Sequence, residues 1–267
     1  MSESAAFRTT VAILAWTGIA FLVFPVLVTA LASFNEGYFI EMPPKALSLR
    51  WYGAIGDIHR IGEAVLWSLL IAFVAALLAT AFGLGAALAI ARHPLPGKPA
   101  ITAVLLSPVT VPMVAIGIAL VQYFVVLGVA FTWWSVAIGH VVLVVAYPVR
   151  TLLASLTLTN SGLEDAARSL GASRWRAFHT VTLPQLKPGL VSGFLFAFLI
   201  SFDNYPISVF LVRGDVTTMP IELFNHISNN FDPTPAAFST VYILIVSLVI
   251  CAAEWRYRIV SLSIPKT

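Results

Sequence analysis

The chain has 267 residues, of which 59% are hydrophobic and only 10% charged, and its mean hydropathy is +0.93. That composition excludes a soluble globular domain and points to an integral membrane protein. The net charge of +3 implies no nucleic-acid partner, and a single cysteine, Cys251, leaves no basis for an intramolecular disulfide, a metal cluster or a redox motif.

Six apolar stretches are long enough to cross a hydrocarbon core of about 30 Å at 1.5 Å per residue. They cover roughly residues 10 to 33, 64 to 91, 100 to 127, 132 to 157, 188 to 212 and 236 to 253. The sequence therefore predicts an all-α integral membrane protein of six transmembrane helices in a single domain, 1–267. The first stretch follows Arg8 and ends near Ala30-Leu31-Ala32, as a cleaved leader would. Its run of about 22 residues is too long for a leader's apolar region, so a retained helix is expected.

Between the first two spans, a segment of about 34–62 carries Pro43-Pro44 and the pair Trp51-Tyr52, which suits a membrane interface. The turn Arg92-His93-Pro94-Leu95-Pro96-Gly97-Lys98-Pro99 is short and basic. Pro108 and Pro112 should break the third span, Pro148 the fourth and Pro206 the fifth, each freeing a carbonyl that neighbouring protein or water must satisfy. A second polar segment, about 213–235, holds Asp215, Glu222, His226 and Asp232. Six spans put both termini on one side. With the termini inside, only Lys45, Arg50, Arg60 and Arg213 of the 15 Lys and Arg fall outside, so the positive-inside rule selects that orientation and makes the 34–62 and 213–235 segments external.

The same orientation makes residues 159–187 a cytoplasmic insert. Ser161-Gly162-Leu163-Glu164 reads as a capping box, and Glu164 with Asp165 puts negative charge at the positive end of a helix starting near residue 162. Gly171 is the natural left-handed stop, Ser173 can cap a second helix through Trp175, Phe178 and Val181, and Pro184 should end that run. Leu163, Ala166, Ala167 and Leu170 form an i, i+3, i+4, i+7 stripe, which would stay wet unless a partner supplied a groove.

Within the apolar segments, Asp203 is the one deep acidic residue, in the run Ser201-Phe202-Asp203-Asn204-Tyr205-Pro206. Reckoned from a helix start at Pro188, it lies roughly 22 Å across the core. A carboxylate there faces a bundle interior, a partner or a water-filled route, or else caps the helix broken at Pro206. His140 reads as a hydrogen-bonded packing residue. There is no phosphate-binding loop, because Gly97-Lys98 is followed by Pro99 and Arg92 stands where the first glycine would be. The chain alone should therefore not hydrolyse ATP, and nothing suggests another catalytic arrangement.

The insert has the spacing Asp165-Ala166-Ala167, three residues, Gly171, nine residues, Val181-x-Leu183-Pro184. This resembles the EAA loop of ABC importer permeases, which docks into the ATPase subunit; Asp165 stands for the usual Glu and Val181 for the usual Ile. On that resemblance, Glu164, Asp165, Ala166, Ala167, Leu170, Gly171, Val181, Leu183 and Pro184 are expected to couple to the ATPase. Ser33-Phe34-Asn35, Leu49-Arg50-Trp51-Tyr52, Leu105-Leu106-Ser107-Pro108, Ser201-Phe202-Asp203-Asn204 and Met219-Pro220-Ile221-Glu222 resemble the second permease of spermidine/putrescine-type importers. The resemblance implies a type I ABC importer permease fold, a heterodimer with a second permease, two ATPase subunits that bind ATP and Mg, and an extracytoplasmic substrate-binding protein. This chain would itself bind no cofactor. It also implies residence in the bacterial inner membrane, and polyamines first among substrates, passing Ser201, Asp203, Asn204 and Tyr205. Permeases for ferric iron, 2-aminoethylphosphonate, amino-acid derivatives and opines share much of the pattern. The competing class is an ion-coupled secondary transporter with Asp203 as the ion site, and a third is a structural or assembly protein.

Overall fold

The computed structural model describes residues 5–159 and 161–257. Asn160 and the C-terminal residues from Arg258, Lys266 among them, lie outside the described residues. In chain order the helices are α1 (Ala5–Ser33), α2 (Arg50–Ala54), α3 (Ile61–Arg92), α4 (Lys98–Leu106), α5 (Met113–Val126), α6 (Trp133–Val144), α7 (Ala146–Leu158), α8 (Ser161–Ser169), α9 (Arg174–Ala177), α10 (Leu183–Phe202), α11 (Ser208–Leu211), α12 (Met219–Asn229) and α13 (Thr234–Tyr257). Five helices among the described residues are long and apolar enough to cross a membrane, or six if one bent pair counts as a span.

That pair is the expected third span. Lys98–Val109 and Met113–Val126 meet at 101°. Pro108 sits in a 3-10 turn and Pro112 is the N-cap of α5. Each proline removes a backbone donor, and at Pro112 the backbone leaves the helical region with ψ 125°, so one helix ends and the next starts in a new direction. The fourth span behaves differently. Thr132 and Ser135 form a reciprocal capping box at its start, and the helix runs from Trp133 to Leu158 with only Val145, at φ −59° and ψ −29°, between α6 and α7. The interruption expected at Pro148 is confined to Val145, three residues earlier, whose helical backbone angles keep α6 and α7 in one span.

The fifth span also departs from its expected bounds. The helix continues from Arg174 through a π-helical turn at Phe178–Thr182 to Phe202. Pro184 lies just after the π turn, and Thr182 and Leu183 before it both keep helical backbone angles, so it does not end the run.

The chain folds as two compact units, Met1–Ile61 with Leu223–Val249, and Gly62–Glu222 with Ile250–Thr267. In the first, the segment after α1 is pinned by the Trp51 indole, which donates to the Asn35 carbonyl at 2.7 Å, and by a 2.7 Å bond between Ser33 and Tyr52. In the second, the core joins Ile71, Ala75, Ala76 and Ala79 of α3 to Val136, Leu143 and Val144 of α6, Ala197 of α10, and Ile207 and Leu211 beyond it. Small residues bring α7 and α10 together. A Cβ on Gly193 would meet the Pro148 Cα at 2.8 Å, and Thr151 Oγ1 donates to the Gly189 carbonyl at 3.0 Å. Close backbone approach and a hydroxyl donor are the usual means by which helices associate where lipid removes the hydrophobic drive.

Candidate functional site

The insert is built from two helix-end motifs. At the end of α8 the Ala172 N–H reaches the Ala167 carbonyl at 3.1 Å and the Gly171 N–H reaches that of Arg168 at 3.0 Å. This 6→1 and 5→2 pair is a Schellman motif, and it requires the left-handed φ of +91° that Gly171 adopts. The chain then restarts at Ser173, whose side chain accepts from the Arg176 N–H at 3.3 Å. The helix before the turn begins at Ser161, one residue earlier than the sequence suggests; the side chain of Ser161 lies outside the described residues.

Two aspects of the insert separate cleanly. On the outer face Leu163, Leu170 and Trp175 are 51%, 90% and 73% exposed. Ala166 is exposed and Ala167 half-buried. Asp165 is exposed too, at 3.7 Å from Arg168. Among the described residues of its unit, three members of the expected stripe, Leu163, Ala166 and Leu170, therefore stand exposed, and Ala167 is half-buried. Val181 and Leu183 are half-buried on the π turn and the start of α10, and Pro184 is exposed.

On the inner face stands Glu164. Arg92, in the last turn of α3, donates to both of its oxygens, at 3.3 and 2.7 Å. The buried Thr182 hydroxyl also donates to Glu164 and accepts from Arg92 at 3.2 Å. The Thr182 hydrogen bond, with the Arg92 hydrogen bonds and charge, holds the Glu164 carboxyl below its ordinary value against the opposing effect of burial. A carboxyl with a lowered folded-state pKa contributes its stabilisation above the ordinary carboxylate range and loses it only as pH falls through the lowered value, so Glu164 is ionised at neutral pH. Glu164 thus spends both oxygens on Arg92 and Thr182. Sequence spacing missed both partners, 72 and 18 positions away; the one available signal was a basic residue at a helix C-terminus.

The break after α10 carries the second candidate group. Asn204 caps it, accepting from the Ile207 N–H at 3.0 Å. His140, 1% exposed, bridges Ser201 at 2.7 Å and Ser208 at 3.1 Å, and Ser208 in turn donates to the Asn204 carbonyl. His140 is a hydrogen-bonded packing residue, as its sequence context suggests. Ser201 and Asn204 are buried within this network, whereas Asp203 is exposed and Tyr205 half-buried. The four residues expected to share one path do not present one surface, because the backbone turns between positions 202 and 204. The depth reckoned from Pro188 also changes, since the helix that ends at Phe202 begins at Arg174.

Two clusters lie in the other unit. The Arg50 guanidinium sits 4.6 Å from the Tyr38 ring centroid and 4.3 Å from that of Trp51. His226 pairs with Asp232 at 3.2 Å, and Asp232 accepts from the Thr234 N–H at 2.8 Å to start α13. No group of three or more His, Cys, Asp or Glu able to hold a metal occurs among the described residues.

Residues 79–264 match the family described as "Binding-protein-dependent transport system inner membrane component". The spermidine/putrescine transport system permease protein PotC of Haemophilus influenzae is 29% identical over 85% of this chain and 88% of its own length. The putrescine transport system permease protein PotI of Escherichia coli K12 is 30% identical over 87% and 85%. The molybdenum transport system permease protein ModB of the same organism is 30% identical over 74% of this chain and 93% of its own. A solved bacterial ABC transporter involved in the import of the acidic polysaccharide alginate superimposes with a TM-score of 0.66 at 14% identity, over 96% of this chain and 98% of that one. This likeness gives the chain the type I permease fold. The chain belongs to the family of inner membrane components of binding-protein-dependent transport systems, as the permease subunit of an ABC importer.

Proposed function

We propose that this chain is one permease of a heterodimeric importer in the bacterial inner membrane, both termini cytoplasmic, driven by two ATPase subunits that bind ATP and Mg. A substrate-binding protein delivers polyamines to its outer face. The observation that carries the reading is the outer face of the insert, where Leu163, Leu170 and Trp175 stand exposed beside an acidic residue, Asp165. An amphipathic helix of this kind seats in a partner's groove. Asp165, Ala166, Ala167, Leu170 and Gly171 make the docked helix and its stop. Glu164, Val181, Leu183 and Pro184 join it to the fifth span. ATP-driven closure of the ATPase pair displaces α8 as a lever, and the permease pair alternates between inward and outward access.

Polyamines are favoured because the relatives PotC and PotI, which carry polyamine names, match over 85% and 87% of this chain, against 74% for the molybdenum permease. An exposed carboxylate at Asp203 beside Tyr205 adds charge and an aromatic face for an ammonium group. Ser201 and Asn204 shape the break that presents them. Asp203→Asn keeps size and most hydrogen bonding while removing the charge. In proteoliposomes loaded with ATP, the variant should lose about tenfold in spermidine uptake, a change within the usual range for one charged contact, while the complex still assembles. Wild-type uptake rates in Asp203→Asn would remove Asp203 from the substrate path, and absence of spermidine uptake by the wild-type complex would remove the polyamine reading. Uptake driven by an ion gradient without ATP would favour the secondary transporter instead.

A further inference from the structure

The contact between Glu164 and Arg92 does something that docking does not need. Docking uses the outer face of α8, whereas Glu164 points the other way and joins three segments far apart in sequence. Arg92 terminates α3, whose Ala87 lies little more than one turn earlier in a buried cluster with Leu152 of α7 and Leu186 of α10. Thr182, 3% exposed, closes the π-helical turn that fuses the insert to α10. Such π turns recur at functional positions because they add one residue to a helix and can shift register. The guanidinium is fork-shaped and engages both carboxylate oxygens, which fixes orientation as well as distance in a way a lysine could not.

We propose that Arg92 and Thr182 are positioning residues that latch α8 to the end of α3 and to the π turn, so that a displacement of α8 is delivered to two spans at once. The latch rests on the coupling role given to α8 above. Without it α8 still docks, but its motion is absorbed by the turn at Gly171 and by the link from α7. The acidic pair of the insert is then divided in labour: Glu164 faces inward to the latch and Asp165 outward.

The test uses the assembled transporter with its binding protein, reading the ATPase subunits retained on purification and the solute moved per ATP hydrolysed. Arg92→Gln should retain the ATPase subunits and lower transport per ATP by roughly tenfold, the middle of the range for coupling between sites. Arg92→Lys should fall between that and wild type. The swapped pair Arg92→Glu with Glu164→Arg should regain part of the loss, incompletely because a carboxylate at a helix C-terminus opposes the dipole. Should position 92 not tolerate change, Thr182→Val removes the bridging hydroxyl at constant shape, and it should lower transport per ATP in the same direction. Transport per ATP at the wild-type value in Arg92→Gln or Thr182→Val would overturn the latch, as would loss of the ATPase subunits in step with transport, since the contact would then only support docking. Leu170→Asp tests the coupling role separately. If that variant kept its ATPase subunits, docking through α8 would fail whatever the Arg92 variants did.

Discussion

Replacing Gly171 with valine should abolish coupled uptake while leaving the protein inserted in the membrane. A Cβ at this position meets nothing within 4 Å, so space is not the obstacle. The obstacle is the backbone, held at φ +91°, where an L-residue costs roughly 1–2 kcal/mol and a β-branched one more. Valine would relieve that strain by giving up the Schellman bonds from Gly171 and Ala172. The helix would then end elsewhere and swing Leu163 and Leu170 away from the face they present. The membrane spans share no contact with the new side chain and should stay intact. The check is substrate-stimulated ATP hydrolysis in the purified complex: near zero for valine, and close to wild type for Gly171→Asn, since asparagine tolerates the left-handed region. Normal stimulation in the valine variant would mean that the turn does not set the position of α8.

The second large effect is expected in the membrane. Gly193→Val should strongly destabilise the folded protein, because its Cβ would lie 2.6 Å from Thr151 Oγ1 and 2.8 Å from the Pro148 Cα. The hydroxyl could rotate away, but the backbone of α7 cannot. Overpacking of this kind costs roughly 1–3 kcal/mol, and contact with a facing backbone places it at the upper end. Gly85→Ala serves as the control, since a Cβ there meets nothing within 4 Å. Thermal unfolding in detergent should show a clear loss for the first variant and no loss for the second. A Gly193→Val protein as stable as wild type would remove close helix approach as the reason α7 and α10 pack.

Much of this architecture is legible in the residues themselves. Long apolar runs mark the spans because a helix that satisfies its own backbone can cross a membrane where irregular chain cannot. Gly171 and Ser173 mark the turn in the insert because few residues can occupy those backbone conformations or cap a helix. The prolines are less informative, since the same residue caps the start of a redirected helix at Pro112 but lies within a span that continues across it at Pro148 and at Pro184. Which outcome occurs depends on where the freed carbonyl points, and a sequence does not record that. Nor does it record the 101° between the halves of the third span. The candidate sites divide in the same way. The outward stripe of α8 follows from helical periodicity, and the structure leaves Leu163, Ala166 and Leu170 of it exposed. Glu164 reads in sequence as part of a local cap, but its partners are Arg92 and Thr182, and long-range pairing has no periodicity to betray it. Ser201, Asp203, Asn204 and Tyr205 are neighbours in sequence that the broken backbone sends in different directions, two into the His140 network and Asp203 outward.

The central claim is that the outer face of α8 is covered by an ATPase subunit. It is tested most directly by placing a single thiol at Leu170, which is 90% exposed, after replacing the exposed Cys251 with serine. In the membrane-embedded permease alone, the thiol of Leu170→Cys should react rapidly with a water-soluble maleimide. In the assembled complex it should be shielded, and a bifunctional thiol reagent should join it to a cysteine placed along the ATPase groove. Equal labelling rates with and without the ATPase subunits, together with no cross-link, would contradict the account.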